Sequence, residues 1–93
     1  MRTYEAMCVF RANDDAFTRG KDAVRNELKK LDANIIKEED MGQRTLAYPI
    51  QNETQGHYFY FVAEMEPEKA HQAPKSVELL EELLRFMVVR QES

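Results

Sequence analysis

Two stretches of this chain alternate so regularly that they read as strands, and both carry apolar side chains on two faces. From Thr3 to Phe10, Tyr4, Ala6, Cys8 and Phe10 fall on one side, with Thr3, Glu5, Met7 and Val9 on the other. From His57 to Met65, Phe59, Phe61, Ala63 and Met65 alternate against Tyr58, Tyr60, Val62 and Glu64. A strand with little polar surface on either side belongs inside a sheet, with neighbours on both edges. Ninety-three residues allow one lean core and not two. A single domain spanning residues 1–93 is therefore expected around these strands.

The remaining elements follow from punctuation and period. Asn13-Asp14-Asp15 offers an N-cap and an acidic first turn. Phe17, Val24, Leu28 and Leu31 then make one helical stripe, with Gly20 inside it to permit close packing on the sheet. A second strand begins at Ala33–Ile36, has a charged middle from Lys37 to Asp40, meets a bulge or bend at Gly42 and resumes through Ile50. Pro49 lacks a ladder donor and places that strand at a sheet edge. Residues Asn52 to Gly56 are expected to form a hairpin loop. The second helix falls within Pro67–Leu84. Pro67 suits a first helical position, whereas Pro74 with Val77, Leu80 and Leu84 favours a later start, so a kinked or delayed helix is expected. Arg85 to Arg90 is a last strand, with Phe86 and Val88 on one face.

The order is strand, helix, strand, strand, helix, strand. Right-handed crossovers turn this order into an α+β, ferredoxin-like split β-α-β sandwich, a four-stranded antiparallel sheet with two helices on one face. The first and third strands are central. The other face is left open and presents Thr3, Glu5, Met7, Val9, Tyr58, Tyr60 and Val62.

Little here can carry catalysis. Neither His57 nor His71 has a carboxylate or cysteine at triad or ligand spacing, and both read as surface residues. Cys8, the single cysteine, alternates with core residues and permits no internal disulfide, which fits a reducing, cytosolic compartment. Glu38-Glu39-Asp40 reads as a solvated strand segment, no cofactor is called for, and no phosphate-cradling glycine loop is present. The N-terminus lacks a signal peptide's apolar run, and no segment is long and apolar enough for a membrane span.

Binding is better supported. Antiparallel pairing of the first and last strands brings Arg2 towards Arg90 at one end of the sheet and Arg11 towards Arg85 at the other. Paired guanidinium groups can grip phosphates, although arginine at strand ends also serves simple solubility. Tyr58 and Tyr60 could stack bases, or merely cover a half-exposed sheet. A net charge of −4 opposes all this, because phosphate affinity comes from lysine and arginine. An acidic RNA binder needs a local basic patch or a basic partner.

Residues Gly42-Gln43-Arg44-Thr45-Leu46-Ala47-Tyr48-Pro49-Ile50-Gln51 are the most distinctive run in the chain. At Gly42, Arg44, Leu46, Ala47, Tyr48 and Ile50 the run resembles the signature of the sixth protein of the bacterial small ribosomal subunit, the S-six family. Arg2-Thr3-Tyr4-Glu5, Gly56 with Glu64-Met65, and Arg85-Phe86-Met87-Val88-Val89-Arg90 extend the likeness over nearly the whole chain. Thr45 and Gln51 depart from it. The resemblance implies a structural constituent of the cytoplasmic small ribosomal subunit, without enzymatic activity. It further implies binding to the central domain of small-subunit rRNA beside a small basic ribosomal protein, S-eighteen, and a monomer outside the ribosome. Carried onto matching positions, it makes Arg2, Arg85 and Arg90 the rRNA contacts and Arg44 and Tyr48 the partner contacts. Two rivals are a single-stranded RNA binder of the RNA-recognition type and a homodimeric ligand-sensing domain.

Overall fold

The computed structural model describes residues 1–91. The chain runs β1 (Arg2–Arg11), α1 (Asp14–Lys30), β2 (Asn34–Ile50), β3 (Glu53–Met65), α2 (Pro67–Val77) and β4 (Leu83–Arg90). The strands form one antiparallel sheet in the order β2-β3-β1-β4. The two strands that are apolar on both faces therefore lie at its centre, and the Pro49 strand lies at an edge. This is the split β-α-β arrangement.

Both helices cover the same sheet face. Phe17, Val24 and Leu28 of α1 and Ala70, Ala73 and Val77 of α2 join one cluster with Tyr4, Ala6, Cys8 and Phe10 of β1 and Phe59, Phe61, Ala63 and Met65 of β3. Cys8 is wholly buried, opposite Phe59 on one neighbouring strand and Phe86 on the other. Helix α1 begins where Asn13 Oδ1 accepts the Ala16 N–H at 2.8 Å, with Asp14 and Asp15 in the first turn and Lys29 and Lys30 in the last. Charge thus complements the helix dipole at both ends. At Gly20 a Cβ would come within 2.7 Å of the Phe10 ring and 2.8 Å of Glu82 Cβ. Only a residue without a side chain lets the helix lie this close.

Three boundaries differ from the sequence expectation. Helix α2 starts at Pro67 without delay and carries Pro74 inside it. Its buried stripe is Ala70, Ala73 and Val77, so the small alanines set the face; Leu80 and Leu84 lie beyond it. The hairpin loop is a two-residue turn, Gln51-Asn52, with φ of 49° and 67°, and β3 begins at Glu53. Two successive positive φ values give a turn whose twist matches that of its strands. Finally, β2 leaves ladder register between Thr45, opposite Gln55, and Ile50, opposite Glu53. Leu46 to Pro49 form a wide bulge there, which frees Pro49 from any need to donate. Gly42, with φ of 82°, marks another register shift next to Asp40.

Strand β1 ends at Arg11, opposite Gly56, so residues 44–55 form a two-stranded arm running past the end of the central strand.

Candidate nucleic-acid and partner interface

The five candidate residues fall into two groups. Arg2 and Arg90 lie near one end of the sheet. Arg90 is opposite Tyr4 in register, on the helix-bearing side, and helps line a cleft of about 490 Å³ with Tyr4, Pro67, His71, Pro74 and Val88. Arg85 is opposite Val9 and belongs to the open face, towards the other end. There the arm curls back, and Leu46, Tyr48 and Ile50 close a hollow of about 110 Å³ with Val9, Tyr58 and Arg85. Arg44 joins this group, its guanidinium 5.8 Å from the centre of the Tyr58 ring. Tyr48 is 63% exposed. The structure therefore brings Arg85 together with Arg44 and Tyr48, and away from Arg2 and Arg90.

The arginines divide a second way. Of seven in the chain, Arg11, Arg19 and Arg25 hold carboxylates. Arg2, Arg44, Arg85 and Arg90 have no ion-pair partner among the described residues. Arg25 forks onto Glu38 with Nε and Nη2, at 2.8 and 2.7 Å, and reaches Asp22 with Nη1 at 2.7 Å. That hydrogen bond from Arg25, with lesser help from nearby lysines, holds the Glu38 carboxyl below its ordinary range. Arg11 is equally engaged. It donates from Nε to the Glu81 carbonyl at 2.8 Å, from Nη1 to Glu53 Oε1 at 2.9 Å and from Nη2 to Gln51 Oε1 at 2.9 Å. It is consumed inside the molecule and does not form a phosphate grip with Arg85.

His57 overturns its sequence reading. It is largely buried, its ring stacks on Phe17 with centroids 3.6 Å apart, and its Nε2 lies 2.6 Å from Asp40 Oδ1. An ionised carboxylate only accepts, so Nε2 carries the proton. The same Asp40 oxygen accepts the Gly42 N–H at 2.8 Å. These bonds, that from His57 first, hold the Asp40 carboxyl below its ordinary range. His57 Nδ1 is buried with no hydrogen-bond partner among the described residues. The pair joins residues 17 apart, and only the strand register, with its bulge at Gly42, brings them together. Cys8 is no nucleophile, because burial pushes its thiol pKa up. No described helix is long and apolar enough to cross a membrane.

Comparison with known proteins gives the same assignment from whole-chain similarity. The family model for ribosomal protein S6 matches residues 3–90. The small ribosomal subunit protein bS6 of Treponema pallidum is 41% identical over 93 residues, covering 100% of both chains. That of Treponema denticola is 37% identical over 92 residues, covering 99% of each. In fold, the crystal structure of 30S ribosomal protein S6 from Thermotoga maritima superposes with a TM-score of 0.85 at 20% identity, over 97% of this chain and 87% of that one. The chain belongs to the ribosomal protein S6 family.

Proposed function

We propose that this chain, a structural constituent of the small subunit of the cytoplasmic ribosome, binds the central domain of small-subunit rRNA beside the small basic protein S-eighteen. The family is not an enzyme class. The observation that carries the reading is the division of the arginines. In a protein of net charge −4, the four that match the family's pattern are the four left without carboxylates among the described residues, while the other three tie the fold together. Arg2, Arg85 and Arg90 supply rRNA phosphate contacts. Arg44 and Tyr48 face the protein partner. Because Arg85 shares a hollow with Tyr48, RNA and partner meet on the open face at that end.

Arg2→Ala combined with Arg90→Ala lowers the salt slope of RNA binding by about 2 while leaving the domain folded. Tyr48→Glu weakens association with S-eighteen by about 1–2 kcal/mol, as loss of an interface aromatic does. Salt titrations and co-purification read the two effects, and an unchanged slope or normal co-purification removes the residues concerned. Single-stranded RNA recognition through Tyr58 and Tyr60 is disfavoured. The groove of Tyr60 carries Glu5 and Glu39 against the single cation Lys37, itself 3.6 Å from Glu39. It therefore has no surplus of positive charge for phosphate, and the Arg44 guanidinium lies over the Tyr58 ring.

A further inference from the structure

A two-stranded ribbon projecting from a sheet is marginally stable in water unless something holds it. The arm here is held at three places, all at its base or turn. Arg11 reaches Gln51 at the turn and Glu53 just after it, while its Nε is fixed by the Glu81 carbonyl in the α2–β4 connection. The acceptors lie 40, 42 and 70 residues away in sequence, so one guanidinium joins β1, the arm and the far loop. Gln43 Nε2 donates to the Ala12 carbonyl at 2.8 Å, tying the base of the arm to the turn before α1. Asp40 ties the Gly42 bulge to His57, which is itself stacked on Phe17 of α1. None of these groups points to an outside ligand. Apart from His57 Nδ1, each is satisfied within the molecule, and all lie at the base or turn of the segment that carries Arg44 and Tyr48.

We infer that Arg11, with the Asp40–His57 pair, consists of positioning residues that hold the β2–β3 arm at a set angle, so that Arg44 and Tyr48 are presented to the partner already ordered. An interface assembled on an ordered arm binds without the loss of freedom that a loose one incurs. The planar fork of arginine suits this role, since a lysine offers a point charge and cannot span three acceptors in one plane. The presentation half of the inference rests on the docking role proposed above, whereas the positioning half does not.

The test uses the full chain, a central-domain rRNA fragment and S-eighteen. In Arg11→Met, amide exchange of Thr45–Thr54 in the free protein rises on the order of tenfold, while exchange at Phe59 and Phe61 stays unchanged. Affinity for S-eighteen with the RNA fragment falls about five- to tenfold, and the salt slope does not change, because Arg11 touches no phosphate. Glu53→Gln keeps an oxygen acceptor and preserves arm protection, whereas Glu53→Ala loses it. Should Arg11→Met unfold the protein, Asp40→Asn and Gln51→Ala read the same arm amides. Unaltered arm exchange in the folded variants overturns the positioning role. Faster exchange with unaltered affinity overturns presentation. If Tyr48→Glu binds normally, the docking proposal fails, and the exchange result still decides whether these residues position the arm.

Discussion

Gly20 shows how one absent side chain fixes a packing distance. Alanine is the better helix former by up to about 1 kcal/mol. Here its Cβ would press on the fully buried Phe10 ring and on Glu82 Cβ, which sits close to its own backbone. Neither neighbour is the free end of a flexible chain, so the overpacking loss of about 1–3 kcal/mol outweighs the propensity gain. Gly20→Ala is expected to be destabilising by about 1 kcal/mol, with a thermal midpoint lower by about 4–8 °C in circular dichroism. An equal or higher midpoint would mean that α1 can lift from the sheet without loss. The arginines teach a related lesson about single residues. Arg11 and Arg85 looked equivalent as strand-end cations, yet one is locked by three acceptors and the other is open.

Between elements, the edge strand β2 is tied to α1 and β3 by charged contacts. Arg25 of α1 grips Glu38, and His57 of β3 holds Asp40. Both carboxyl groups titrate below their ordinary values in the folded protein, so they favour folding at pH above the unfolded-state values of about 4. That contribution is lost as pH falls through the lowered folded values. The side chains of Glu38 and Asp40 are 31% and 53% exposed, and solvent screening keeps the effect below about 1 kcal/mol. Thermal midpoints are therefore expected to stay level near neutrality and to fall below about pH 4. The Glu38→Gln, Asp40→Asn protein should lose less on acidification than the parent, and parallel curves would show that the pairs add nothing. Neither pair was legible in the sequence. Alternation showed which faces of β1 and β3 are buried, because a period of two needs only local spacing. The partners of Asp40 and Arg25 depend on register and on where a helix lands. The delayed start expected for helix α2 fails for a different reason. Val77, Leu80 and Leu84 carry the large apolar side chains, but the face that seats on the sheet is set by the small Ala70 and Ala73. The Gly42–Gln51 run was visible as an edge strand with a proline, but the wide bulge that turns Tyr48 towards Arg85 was not.

Across the whole molecule, which measures 37 × 26 × 18 Å, open arginines sit near both ends of the sheet and on opposite faces. A protein of this charge does not coat RNA. On the proposed reading it meets RNA through a few separated contacts, and the β2–β3 arm lies next to one of them. The sheet that joins these contacts has Cys8 at its centre, paired on both sides, wholly buried and with its thiol held protonated. That sulfur faces the core between the sheet and the two helices, so a reagent reaches it only when this packing opens. Alkylation of Cys8, followed by mass spectrometry, should therefore advance at the rate of global opening and slow when RNA and partner are bound. Labelling that outruns unfolding would reveal local opening of the core, with a helix lifting from the sheet. The cysteine, inert as chemistry, is a clock already installed in the protein, and it can time how firmly the assembled ribosome holds this subunit shut.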